Sequence, residues 1–234
     1  MKGYKVVRVV DGKRKSVVID ESDEEHYGVK CVTYKTDEIN YQPSRNHPLI
    51  VFSDMDEAIG FGSCEGGLNN LELELWEIEY EPSRLDSYRN MLDIDFPKST
   101  KFAKCLEFVN RIGTYNKDDE WIMIGYKVVQ CRCDRLFSFW LDIRKRVYYE
   151  IGKWVKQPSS DKPLFVFKSL KDRKEWWGDS GVKVYRCEYI PSNIKEVKDE
   201  HDRFGFRRTP DDYGTGTAFA SRVKLLEEVG YYEY

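Results

Sequence analysis

"TKFAKCLEFVNRIGTY", Thr100 to Tyr115, is the stretch on which the fold class turns. Its apolar residues Phe102, Leu106, Val109 and either Phe108 or Ile112 fall near one face of a helix, so an amphipathic helix is expected here. "TAFASRVKLLEEVGYY", Thr217 to Tyr232, matches it at a shift of 117 residues and is expected to do the same.

Three further matches occur in the same order along the chain. "GYKVV" stands at Gly3 to Val7 and again at Gly125 to Val129, a shift of 122 that also lays Ser16 over Ser138. "VTYKTDEINYQPSRNHPLIVF", Val32 to Phe52, lies over "VYYEIGKWVKQPSSDKPLFVF", Val147 to Phe167, at a shift of 115, because the second copy lacks the acidic loop "DESDEEHYG". "LELWEIEYEPS", Leu73 to Ser83, lies over "VKVYRCEYIPS", Val182 to Ser192, at a shift of 109. Four ordered matches separated by loop-sized length changes mark two copies of one unit, residues 1–115 and 124–234, with 116–123 as linker.

Each unit begins with a hairpin. In the first, Asp-Gly between "YKVVRVV" and "KSVVI" is a strong two-residue turn signal. Strands follow at "VKCVTY" and "RVYYEI", then a loop carrying Gln-Pro-Ser, then the short strands "PLIVF" and "PLFVF". Ser53 with Asp56, and Ser169 with Asp172, have capping-box spacing and are expected to open a short helix in each unit. Pro82 and Pro191 end the long alternating strands. The expected fold is therefore α+β: a mostly antiparallel sheet with one short and one longer helix per unit, used twice.

Polar residues retained in both copies are the first candidates for function: Ser16 with Ser138, Gln42 with Gln157, Ser44 with Ser159, and Glu79 with Glu188. Gln-Pro-Ser is readable as a turn tied by its own side chains or as a binding loop. Glu79 and Glu188 each precede a tyrosine, and strand alternation exposes the glutamate if the tyrosine is buried. Gln42, Ser44, Glu79, Gln157, Ser159 and Glu188 are the ligand-binding candidates.

Dedicated chemistry is harder to find. The three histidines, His26, His47 and His201, have no ligand-like spacing, and Cys131 and Cys133 would point to opposite faces of a strand, so no metal site is expected. The six cysteines read as reduced thiols. Walker-type and dinucleotide-binding glycine motifs are missing, and no GxSxG elbow occurs. "GFGSCEGG", Gly60 to Gly67, is expected to follow a helix, and Gly214 and Gly216 to lead into a helix starting at Thr217. No catalytic residue and no cofactor are assigned.

Composition limits the partners. The chain is 41% apolar and 34% charged, with no apolar run long enough for a membrane span and no leader-like start, so a cytoplasmic protein is expected. Residues 1–115 carry 15 Lys and Arg against 21 Asp and Glu, and the remainder carry 23 against 20, giving net charges of -6 and +3. Units of opposite sign favour different partners or each other. Tyr148, Tyr149, Trp176, Trp177, Arg207 and Arg208 are the interaction candidates. Arginines set among aromatic rings also suit single-stranded nucleic acid or a nucleotide, but acidic residues interrupt every basic patch, which argues against duplex binding.

At "YKVV", "EIGKWVKQPS", "KPLFVF" and "VYRCEY" the chain resembles small uncharacterised α+β modules of bacteriophages, large viruses and bacteria. That resemblance implies an intracellular accessory protein, one that would act in the host cytoplasm if it is virus-encoded. More distantly, Arg8, Ser16 and Glu79 resemble the basic residue, serine strand and late glutamate of ADP-ribosyltransferases, in which the basic residue positions NAD and the glutamate orients the acceptor. The chain departs from that pattern: Arg8 becomes Gln130 in the second copy, and the Ser-Thr-Ser strand is missing. The expected function is non-catalytic binding, to a protein partner or by self-association. Binding of a nucleotide-like ligand with ADP-ribosyl transfer is the alternative, and nucleic-acid binding the third.

Overall fold

Strands β1 (Lys2–Val10) and β2 (Lys13–Ser16) form a hairpin around Asp11 and Gly12, which adopt φ of 50° and 72°. Two successive left-handed residues give a turn whose twist matches the flanking strands, which is why Asp-Gly suits this position. The computed structural model describes residues 1–17, 31–69, 71–85, 96–116, 120–133, 135–138, 147–173, 182–198, 207–214 and 216–231. The chain divides into two compact units, Met1–Trp121 and Ile122–Tyr234.

In the first unit β3 (Thr33–Tyr34) extends the hairpin, and β4 (Asn40–Tyr41) and β5 (Leu49–Phe52) lead to helix α1 (Met55–Asn69). Then come β6 (Leu73–Pro82) and β7 (Thr100–Tyr115). β1 pairs with β6, β6 with β7 and β7 with β5, and β5 returns to β1 through Tyr4 opposite Phe52. This antiparallel circuit closes on itself, and β4 adds to β7 beside β5. Closure removes most free edges and surrounds a core of Val7, Tyr34, Leu49, Val51, Ile78, Tyr80, Ala103, Leu106 and Phe108.

The expected closing helices are strands, which corrects the α+β assignment to a mostly antiparallel β fold. β7 runs sixteen residues against β6, with register shifts between Leu75 and Trp76, Glu77 and Ile78, and Glu81 and Pro82. Each shift adds a residue to β7, and a bulge resets the inward and outward alternation. Buried positions thus fall at Ala103, Leu106, Phe108, Gly113 and Tyr115, a spacing that imitates a helical stripe. Val109, assigned to the helical core face, is an extra residue at a bulge and is 46% exposed.

Helix α1 is the other correction. Asp54, rather than Ser53, accepts from the Glu57 amide at 2.8 Å, while the Ser53 hydroxyl donates to the Ser99 carbonyl at 3.1 Å. "GFGSCEGG" lies inside α1 instead of after it. At Gly62 a Cβ would come 2.7 Å from the Trp121 ring and 3.3 Å from Val6, so glycine lets the helix approach the barrel.

The second unit repeats this plan. β8 (Trp121–Arg132), starting within the 116–123 stretch, pairs with β9 (Arg135–Ser138), which pairs with β10 (Tyr148–Tyr149). β11 (Trp154–Lys156) and β12 (Leu164–Phe167) precede a short helical segment, α2 (Leu170–Arg173), and β13 (Val182–Pro191). β16 (Thr217–Tyr231) closes the unit after a small hairpin, β14 (Val197–Lys198) and β15 (Arg207–Arg208), and a 3-10 turn at Pro210–Tyr213. The circuit runs β8, β13, β16, β12 and back to β8 through Phe167 opposite Tyr126. Its register shifts fall between Val184 and Tyr185, Arg186 and Cys187, and Ile190 and Pro191, each 109 residues after its counterpart. Thr217 opens a strand rather than a helix, so the expected helix N-terminus does not form.

Retention of glycine in "GYKVV" has a steric cause. A Cβ at Gly3 would lie 2.7 Å from the Phe52 carbonyl oxygen and 3.1 Å from the Tyr80 ring. At Gly125 the same contacts would be 2.8 Å to the Phe167 carbonyl and 2.9 Å to the Tyr189 ring. Either Gly→Ala change should therefore cost about 2 kcal/mol by pushing apart the strands that close the circuit. Hydrogen exchange of the Tyr4 or Tyr126 amide should quicken, and an unchanged exchange rate would contradict the steric account.

Candidate functional site

The most distinctive retained feature is a lysine inside each barrel. Lys5 and Lys127, equivalent at the shift of 122, lie on the inward face of β1 and β8 and are only 3% and 2% exposed. Lys5 Nζ donates to the Ile50 carbonyl at 2.7 Å and lies 5.1 Å from the centre of the Tyr34 ring. Lys127 Nζ donates to the Phe165 carbonyl at 2.5 Å and lies 5.7 Å from the centre of the Tyr149 ring. Carbonyl and ring are themselves equivalent, each at the shift of 115. Burial lowers the Lys5 pKa to about 7 and that of Lys127 to about 8, the nearby Cys187 opposing the shift at Lys127. Burial also pushes the Cys187 thiol up to about 12 and raises the Tyr149 phenol, so these two stay protonated. The signal for these lysines in the sequence is their place within the identical "GYKVV" of both copies, two residues before Val7 and Val129.

The predicted ligand residues sit near the surface. Gln42 Nε2 donates to the Ser44 carbonyl at 2.8 Å, and Gln157 Nε2 to the Ser159 carbonyl at 2.9 Å. Both loops are tied to the sheet, the Gln42 amide bonding the Lys104 carbonyl and the Gln157 amide the Ser221 carbonyl. The Ser44 hydroxyl meets His47 Nδ1 at 2.5 Å, whereas the Ser159 hydroxyl donates to Asp161 at 2.6 Å. Ser16 and Ser138 are buried opposite Val7 and Val129.

Glu79 is exposed opposite Glu107, and Glu188 is half-buried and ion-paired with Lys224 at 3.0 Å. Glu79 and the Gln42 loop flank opposite sides of β7, and Glu188 and the Gln157 loop flank opposite sides of β16. Each unit thus brings glutamine and serine together but separates them from the glutamate by a strand. Among the described residues, no three His, Cys, Asp or Glu side chains gather as metal ligands.

A second cluster surrounds Glu74, a buried carboxylate the sequence reading passed over. It accepts from Arg14 Nε at 2.6 Å, Arg111 Nη1 at 3.1 Å and Trp76 Nε1 at 2.9 Å. Burial alone would raise its pKa, but these hydrogen bonds, led by Arg14, hold it below the usual carboxylate range.

The interaction candidates divide. Tyr149 belongs to the core, whereas Tyr148 is 57% exposed with its ring 4.7 Å from that of Phe137. Ile151, on the connection that follows, and Trp154, which opens β11, are 56% and 39% exposed. Arg207 lies 3.9 Å from Glu196, and Arg208 stacks 5.8 Å from the centre of the Tyr213 ring. Trp176 and Trp177 lie outside the described residues, as do His26 and His201. Among the described residues, no helix is long and apolar enough to cross a membrane. No protein-family model, curated protein or solved structure matches the chain.

Proposed function

We propose that the chain is a non-catalytic binding protein that engages a protein partner through the Tyr148–Trp154 connection of its second unit. The observation that carries this reading is the exposure of Tyr148, Ile151 and Trp154 within seven residues. Their first-unit counterparts are Thr33, Thr36 and Ile39, so exposed Ile39 matches the Trp154 position while the Tyr148 and Ile151 anchors belong to the second copy alone. Exposed aromatic and aliphatic side chains of this kind are the usual anchors of protein interfaces.

The arrangement of the other candidates favours binding over ADP-ribosyl transfer. Arg8 stands opposite Leu73 and Glu79 opposite Lys2, so they lie six residues apart along one ladder. At about 3.3 Å per residue that is roughly 20 Å, too far for joint action on one ribose. The buried lysines are spent on backbone carbonyls in both copies.

Native mass spectrometry of gently purified protein tests the proposal. A protein-sized mass increment is expected on the chain and should be lost from a Tyr148→Ser, Ile151→Ser, Trp154→Ser variant that keeps its circular dichroism, each anchor contributing about 1–2 kcal/mol of binding. A retained small-molecule adduct, or a protein complex indifferent to the triple substitution, would overturn it.

A further inference from the structure

A tandem repeat whose copies share one strand register faces a folding hazard, since a strand of one copy can pair with the matching strand of the other. The hazard is acute here because β6–β7 and β13–β16 have the same pairing and the same three bulges. We propose that reversed charge pairs on these two ladders form a pairing code that holds each strand to its own copy.

The pairs occupy equivalent positions: both charges are reversed at one, and at the other Glu77 beside neutral Asn110 is replaced by Arg186 beside Glu227. In the first unit Arg111 bonds Glu74 at 3.1 Å, and Asn110 bonds Glu77 at 3.1 Å. In the second unit Lys183 bonds Glu228 at 2.9 Å, and Arg186 bonds Glu227 at 3.2 Å. Lys183 replaces Glu74 at the shift of 109, and Glu228 replaces Arg111 at the shift of 117. The β6 strand carries the negative group of its pair, and β13 the positive group. A third position has Glu79 opposite Glu107 in one copy and Glu188 with Lys224 in the other.

Exchange of partners reverses the balance. β6 against β16 sets Glu74 to Glu228 and Glu77 to Glu227, leaving only Glu79 with Lys224 favourable. β13 against β7 sets Lys183 to Arg111 and Glu188 to Glu107. Correct pairing therefore has four attractive pairs and one repulsive, and exchanged pairing has one attractive and four repulsive. Like charges facing each other across a ladder are destabilising, and at the buried Glu74 position exchange would replace the Arg111 partner with a second carboxylate, leaving Arg14 as the cation beside it. The code also accounts for part of the contrast in net charge between the copies.

The test gives both copies the same sign. In the full chain, Lys183→Glu, Arg186→Glu, Glu227→Arg and Glu228→Arg keep β13–β16 complementary while making β6 and β13 interchangeable. After refolding from denaturant, exchanged dimer measured by size exclusion with light scattering should rise about tenfold over wild type. The sign-preserving variant Lys183→Arg, Arg186→Lys should refold as wild type does. Wild-type refolding at increasing salt is a second measurement that needs no substitution: screening toward about 1 M should raise the exchanged fraction. An equal dimer fraction in the sign-matched and wild-type chains, or a salt-independent wild-type fraction, overturns the proposal.

Discussion

Lys5→Met should stabilise the first unit at pH 7 by on the order of 3 kcal/mol. The wild-type amine has a folded pKa near 7, against about 10.4 for an exposed lysine. Between those values the unfolded chain binds more protons than the folded one, so wild-type stability rises with pH, by about 1.4 kcal/mol per unit for each lysine. Methionine fills a similar volume without the charge and forfeits only the bond to the Ile50 carbonyl, worth about 1 kcal/mol. The gain should therefore be near its maximum at pH 7, level off below it and shrink toward pH 10.

Lys127→Met should behave alike over a shorter window, beginning near pH 8. There Cys187 and Tyr149 act in the other direction, because burial raises their pKa and the folded state keeps protons that the unfolded state releases. Their contribution falls as pH climbs past the ordinary thiol and phenol ranges. Hydrogen exchange of β1 and β8 amides between pH 7 and 9 reads the two units separately. A wild-type stability that is flat over this range, together with no gain from Lys5→Met, would show that the amine does not titrate as its burial requires.

Glu74→Ala should cost the first unit about 3 kcal/mol at pH 7, the range for removing one partner of a buried ion pair, discounted because Arg111 is partly exposed. The loss leaves Arg14, the Arg111 guanidinium and the Trp76 indole without their shared acceptor. Because the folded pKa of Glu74 is lowered, its contribution is complete above the unfolded value and disappears as pH falls through the folded one. Urea unfolding should thus show a wide gap between wild type and variant at neutral pH that closes in acid. A gap of constant width would mean that packing, not ionisation, makes the difference.

Neither Lys5 nor Glu74 is distinguished by its neighbours in the chain, and for one reason. Glu74 lies in "LELELWEIEY", where alternating glutamates look uniformly solvated, and only the approach of Arg14 from β2 and Arg111 from β7 distinguishes it. Lys5 reads as a strand charge until β3 and β5 are placed over it. By contrast, Gln-Pro-Ser closes on itself through bonds two residues long, so its turn was legible from local chemistry.

By itself, the sequence determined that one folding unit occurs twice, that an Asp-Gly turn opens the first copy, and which segments are short strands, because these follow from local identity and turn chemistry. Only the tertiary structure decided that Thr100–Tyr115 and Thr217–Tyr231 are strands. Their bulges arise where a partner strand of different local length must be matched, and a bulge shifts the apolar spacing from two toward the helical period. The same distant pairing selected which charges were buried, since burial is set by the strands that close over a residue and not by its neighbours in the chain.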